Sequence, residues 1–206
     1  MTLLQPRPTW TSWDDLERDA LACVKCPLAH AGRTQVVFGV GARDADLVFV
    51  GEGPGAEEDK QGIPFVGRAG QLLTRLIEGI GMTREDVYIA NVVKCRPPGN
   101  RDPQPDEIEA CQPFLEAQLT LLEPKVIMTL GNFATKLLLG PGGNPDKLGI
   151  TKLRGREFEV SLGKPGAQQT LVPTLHPAAV LRNGGAALAQ ARADFVVAKR
   201  ALARAR

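Results

Sequence analysis

The strongest constraint on the fold is a three-part unit in the first half of the chain. An apolar run, Asp46-Leu-Val-Phe-Val50, leads into the loop GEGPGAEEDKQGIPFVGRAG at residues 51–70, and then into Gln71-Leu-Leu-Thr-Arg-Leu-Ile-Glu78. The run is short and continuously apolar, as a strand buried on both faces requires. The last segment has apolar residues at helical spacing. Strand, loop and helix in that order build parallel sheets, and the loop at a strand's carboxyl end is where such sheets take ligands. Glycines in the loop let the backbone approach a ligand closely. The loop also carries four acidic side chains and one aromatic, Phe65. Those acids repel a bare phosphate, so the loop points to a small, flat, polar ligand.

The same alternation runs through the chain. Thr11 or Ser12 can cap a helix that starts at Trp13. Strands are expected at residues 35–38, 47–50, 87–93, 125–130, 156–161 and 170–175. Helices are expected at 69–80, with Leu72, Leu73, Leu76, Ile77 and Ile80 on one stripe and Gly81 at its end; from a cap at Asp106 to about Leu122; at 132–139; and at 185–203, with Leu188, Phe195, Val196 and Leu202 apolar. Residues 94–105 read as a loop and 140–148 as a glycine- and proline-rich turn. The pattern predicts an α/β fold, a mostly parallel sheet with helices on both faces. Residues 1–22 read as a lead-in and helix, and residues 23–206 as one domain.

A chain of 206 residues is long enough for a full core. No apolar run reaches the roughly 20 residues that span a bilayer, and no charged, apolar, small-residue leader opens the sequence. A cytoplasmic protein without a membrane partner is expected. Charge is uneven: residues 150–206 carry ten Lys/Arg against three Asp/Glu, whereas residues 1–149 carry 15 against 20. A basic C-terminal part can follow a phosphate backbone; it can equally be a solvated helix.

The only cysteines are Cys23, Cys26, Cys95 and Cys111, spaced C-x2-C-x68-C-x15-C. A C-x2-C turn brings two thiolates to one metal, and two further cysteines complete a set of four. Zinc and a [4Fe–4S] cluster both accept four thiolates, and spacing does not separate them. His30, four residues past Cys26, is a competing ligand or a plain surface histidine. A site of this kind would tie the N-terminal segment to the loop that holds Arg96, Asn100 and Arg101.

His176 ends an expected strand, and a proline follows it. That puts it at the same sheet edge as the glycine-rich loop. Asn91 is an amide inside an otherwise apolar strand, where it must find partners or cost free energy. Polar groups from separate strands at one edge form the default arrangement of a binding site.

GEGPGAEEDKQGIPFVGRAGQLL, NVVKCRPPGNRDPQPDE, LGNFA and HPAAVLRN resemble, in order and from about Cys23 to about Asn183, the motifs of the family 4 uracil-DNA glycosylases, the iron–sulfur type of bacteria and archaea. The resemblance implies a single-domain three-layer α/β/α sandwich with a central four-stranded parallel sheet. It implies a DNA-repair hydrolase of base excision repair, which flips uracil out of DNA, hydrolyses its N-glycosidic bond and leaves an abasic site. It assigns the four cysteines to a structural [4Fe–4S] cluster, zinc being the alternative. The partner it implies is uracil-containing DNA, single- or double-stranded, met by a monomer.

The resemblance also implies roles. Asn91 would read uracil N3–H and O4, Phe65 would stack on the flipped base, and the Glu52–Gly53 backbone would bond the base edge. His176 would stabilise negative charge at O2. Leu181 would wedge into the gap left by the base, and Arg182 would meet a phosphate, with Arg96, Asn100 and Arg101 as further DNA contacts. Better-known relatives carry a water-positioning aspartate and a thymine-excluding tyrosine where this chain has Gly53 and Gly55. Glu52 and Glu58 are the candidates for the catalytic carboxylate, and Glu58 is also the candidate for excluding thymine's methyl group. A uracil-DNA binder that traps its substrate is disfavoured, because the segment CRPPGNRDPQPDE contains no histidine. The reading as a four-cysteine zinc protein that binds nucleotides without catalysis has no GxxxxGK[ST] phosphate loop in this sequence to support it.

Overall fold

The computed structural model of the protein describes residues 10–143 and 148–205. Residues 1–9 of the expected lead-in and 144–147 of the expected turn lie outside the described residues. The elements in order are α1 (Trp13–Leu21), β1 (Val40–Gly41), β2 (Leu47–Gly51), α2 (Ala56–Gln61), α3 (Arg68–Glu78), β3 (Tyr88–Asn91), α4 (Pro105–Leu122), β4 (Val126–Leu130), α5 (Asn132–Gly143), α6 (Ile150–Leu153), β5 (Phe158–Val160), β6 (Gln169–Thr174), α7 (Pro177–Asn183) and α8 (Gly185–Arg204).

The sheet has the strand order β1-β3-β2-β4-β6-β5. Its four central strands, β3, β2, β4 and β6, are parallel, and the short β1 and β5 pair antiparallel at the two edges. Every residue of β2, β3 and β4 is buried. Alternate side chains divide between two cores, as the period-2 geometry of a strand demands. Leu47, Phe49, Ile89 and Met128 face α3 and α8, while Val48, Val50, Ala90 and Ile127 face α1, α4 and α5. Each of these apolar side chains larger than alanine contributes about 1.5–3 kcal/mol when taken from water. The helices thus cover both faces, and the result is a three-layer α/β/α sandwich.

Several local expectations need correction. Residues 35–38 are not a strand. Val36, Val37 and Phe38 are buried, but Val37 alone bonds across, from its N–H to Lys94 O at 2.7 Å, and ladder pairing starts only at Val40. A buried apolar run resembles a strand in sequence whether or not its backbone is paired. The cap of α4 is Gln104 rather than Asp106, through a reciprocal capping box with Glu107. Helix α3 stops at Glu78, two residues before the expected end. On α8, Val196 is exposed, and alanines 187, 191, 198 and 201 are buried instead. These small residues let the helix lie close to β4 and β6. The acidic loop after β2 contains its own helix, α2, which periodicity did not suggest because its residues are polar.

Candidate active site

The carboxyl ends of β2, β3 and β6 open into one cleft of about 470 Å³, lined among others by Glu52, Gly53, Gly55, Glu58, Phe65, Asn91, Asn100, Arg101, Asp102, His176 and Arg182. Seven of its lining residues come from the loop after β2 and its continuation. Asn91 is the last ladder residue of β3, paired in register with Gly51, so it lies at the strand's tip and not two residues short of it.

Asn91 is 2% exposed. Among the described residues, its Oδ1 is the one buried side-chain nitrogen or oxygen without a hydrogen-bond partner. A buried acceptor left open is costly, on the order of 1–3 kcal/mol, and this one waits at a cleft. Its neighbour Gly51 has no room for a side chain: a Cβ would come 2.4 Å from Asn91 Oδ1 and 2.6 Å from Phe65 Cζ. The missing side chain therefore brings amide and ring together.

Phe65 adopts φ +53°, a left-handed conformation unusual for an aromatic. Its ring centroid lies 5.8 Å from that of His176. Glu58 secures the following turn: one of its carboxylate oxygens accepts both the Val66 and the Gly67 N–H at 3.0 Å. The other oxygen would lie 2.7 Å from a Cβ at Gly55. Glu58 thus occupies the space that a larger residue at 55 would need.

His176 caps α7, and its Nδ1 accepts the Ala178 N–H at 3.1 Å. Nδ1 as acceptor leaves Nε2 as the proton-bearing donor of the neutral ring. Burial pushes the His176 pKa down to about 4, with Arg182 adding to the fall and Glu58 opposing it. Gly131 of the LGNFA segment packs beside it, with φ +94° and its Cβ position 3.0 Å from His176 Cβ. Glu52 is half-buried, and burial, reinforced by the charge of Asp102, raises its pKa above the ordinary carboxylate value. Asp102 was not anticipated. It lines both this cleft and the adjoining hollow at the start of α5, together with Glu52 and His176; the polar loop sequence holding it contained no signal that singled it out.

The expected DNA contacts are spread around the mouth. Leu181 on α7 is 39% exposed, an apolar side chain turned to solvent, and Arg182 next to it lines the cleft. Arg96 donates from Nε to Asn100 Oδ1 at 2.8 Å. Arg101 is committed to Glu107 through two bonds of 2.9 and 2.6 Å.

The four cysteines line one small cavity with Arg33, Lys94 and Phe114, so residues 69 positions apart in the chain (Cys26 and Cys95) do converge. Among the described residues, no group of three or more His, Cys, Asp or Glu side chains stands in ready-made metal geometry. The surroundings still suit anionic sulfur. Arg33 Nη1 donates to Cys95 Sγ at 2.9 Å, and the Lys94 N–H donates to Cys111 Sγ at 3.2 Å. Lys94 is itself buried, and among the described residues its ammonium donates to two neutral acceptors, Asn91 O at 2.9 Å and Gln118 Oε1 at 2.5 Å. A buried cation with neutral partners calls for an anion nearby. Burial lifts the free Cys111 thiol to about 12, so it stays protonated unless a positive charge is placed against the sulfur. His30 is exposed and does not line the cavity.

Residues 38–202 match the family model described as "Uracil DNA glycosylase superfamily". The type-4 uracil-DNA glycosylase of Thermotoga maritima is 53% identical over 161 residues, covering 78% of this chain and 79% of the relative. That of Archaeoglobus fulgidus is 46% identical over 170 residues, 82% of this chain and 83% of the relative. That of Sulfurisphaera tokodaii is 46% identical over 174 residues, 84% and 77% respectively.

Proposed function

The chain belongs to the uracil-DNA glycosylase superfamily, beside its type-4 members, and from that premise we propose how its own residues release uracil from DNA. It is a DNA-repair glycosylase that hydrolyses the bond between uracil N1 and deoxyribose C1′. The observation that carries the reading is the open acceptor on Asn91, buried at the floor of a cleft beside an aromatic ring and a neutral histidine.

Uracil offers a donor at N3 and an acceptor at O4. Asn91 Oδ1 takes the N3–H, and the Asn91 amide N–H donates to O4. Cytosine presents the opposite pair, so its entry would leave both Asn91 groups facing like partners. Phe65 stacks on the flipped base, and the Glu52–Gly53 backbone meets its edge. As the C1′–N1 bond breaks, its electron pair passes into the ring and accumulates on O2. The His176 Nε2–H donates there, and a neutral imidazole is the better-matched donor because it need not give up its proton. Water adds to the oxocarbenium-like C1′ and loses its proton. Glu52, with its raised pKa, takes the role of positioning that water and receiving the proton. Glu58 is the wall that excludes thymine's methyl, since its carboxylate is already bonded to Val66 and Gly67.

The residues around the cysteines fit a four-thiolate centre, and Cys23, Cys26, Cys95 and Cys111 would hold a [4Fe–4S] cluster. Such a group supplies a cross-link between the N-terminal segment and the 95–111 loop, and no step of the hydrolysis runs through it. Leu181 fills the vacated stack, while Arg182, Arg96, Asn100 and Arg101 contact the backbone of single- or double-stranded DNA. The protein acts as a cytoplasmic monomer; among the described residues no helix is long and apolar enough to cross a membrane.

Incubation with uracil-containing single- and double-stranded DNA, followed by alkali, should give strand breaks at uracil. An absence of breaks would overturn the glycosylase reading. A visible absorption band with iron in the purified protein supports the cluster, and zinc without the band replaces it.

A further inference from the structure

We propose that Arg84, outside the cleft, is a positioning residue that sets Phe65 at the angle its stacking requires. The proposal rests on the reading of Phe65 given above. Arg84 lies in a short turn between α3 and β3, braced by the capping box of Thr83 and Asp86. Its guanidinium reaches back to the main chain of the acidic loop: Nη1 donates to Phe65 O at 3.0 Å and Nη2 to Pro64 O at 2.7 Å. A third, longer contact joins Nη1 to Thr74 Oγ1 on α3 at 3.4 Å.

The turn is thereby gripped by two opposite charges. Glu58 takes the N–H groups of residues 66 and 67, and Arg84 takes the carbonyls of residues 64 and 65. Between them sits a phenylalanine at φ +53°. A left-handed conformation is unfavourable for a residue with a side chain and persists only when its surroundings over-determine it. Gly70 is part of the same arrangement, because a Cβ there would fall 1.8 Å from Phe65 O. A planar guanidinium spans two successive carbonyls as a fork, which an ammonium cannot reproduce. Among the described residues, no carboxylate forms an ion pair with Arg84. Its half-buried charge is spent on these carbonyls.

A double-mutant cycle tests this with kcat/KM on a uracil-containing oligonucleotide, using Arg84→Met, Phe65→Ala and both together. Arg84→Met should lower kcat/KM about tenfold in the natural background and less than about twofold in the Phe65→Ala background. Equal losses in the two backgrounds would overturn the proposal, because a general structural defect does not depend on the ring. Arg84→Lys, which keeps the charge and is milder to the fold, is run through the same cycle and should show the same coupling at smaller size; its absence there also overturns the proposal. The Phe65→Ala variant alone reads the stacking role: if it is fully active, that role fails, whereas a crippled Phe65→Ala with an unimpaired Arg84→Met defeats the Arg84 proposal only.

Discussion

The imidazole Nδ1 of His176 accepts the main-chain N–H of Ala178 at 3.1 Å, so a residue that lines the cleft is also the cap of the helix behind it. Protonation at Nδ1 would destroy that cap and put a charge into a buried site. Folding therefore favours the neutral ring, with a pKa of about 4 against an ordinary 6.5. The unfolded chain binds this proton more readily than the folded one. The stabilising contribution is complete above about pH 6.5, declines as pH falls below it, and is lost as pH passes through about 4. A nitrogen-detected NMR titration of His176 should show the Nε2–H tautomer unchanged through pH 6. A titration near 6.5 would contradict the buried, capping arrangement.

Asn91→Ala separates binding from stability. Two hydrogen bonds to the base disappear, so kcat/KM should fall roughly 100-fold. Among the described residues the Oδ1 atom has no partner, and its removal should leave Tm unchanged or slightly higher. A thermal melt beside the glycosylase assay checks both; a large fall in Tm would mean that the amide is structural.

Gly51→Ala should abolish activity. The added methyl meets both Asn91 Oδ1 and the Phe65 ring well inside contact distance. Relief requires the ring to move, at an expected loss of about 1–3 kcal/mol of stability. Chemical denaturation and the activity assay should show a folded, inactive protein.

Glu58→Ala leaves the Val66 and Gly67 N–H groups without their acceptor and empties the space beside Gly55. Stability should drop by about 1–3 kcal/mol, and release of thymine relative to uracil should rise. Unchanged discrimination between T:G and U:G oligonucleotides would remove Glu58 from the specificity role.

Lys94→Met removes the buried ammonium next to Cys111. If that charge offsets a four-thiolate centre, iron or zinc per purified chain should fall by about half or more, because a net negative centre is then left uncompensated. Elemental analysis at matched protein concentration measures it. Full metal content in the variant would assign Lys94 to bracing Asn91 and Gln118 alone.

Leu47 to Gly51, Tyr88 to Asn91 and Val126 to Leu130 are legible as strands because a strand buried on both faces must be apolar throughout, and short runs of that kind have few other uses. The cysteines and the glycine-rich loop are legible because they carry chemistry in their spacing. Residues 35–38 mislead for the same reason that the true strands do not: burial is encoded, but pairing is not. Helix α2 and Asp102 leave no periodic trace, since one is a short polar turn and the other a surface-type residue in a loop.

The α/β layering, the four-cysteine set and the glycine-rich loop that lines the cleft were readable in the chain alone, because each depends on residue type and local spacing. Long-range packing alone settled that Asn91 ends its strand with an open acceptor, that burial keeps His176 neutral while it caps its own helix, and that Glu58 and Arg84 together hold the turn around Phe65. Those properties come from burial and from partners far apart in the chain, such as Arg84 with Pro64 and Cys26 with Cys95. In the glycine-rich loop the local pattern set where the cleft lies, and contacts across the fold set which atoms face it.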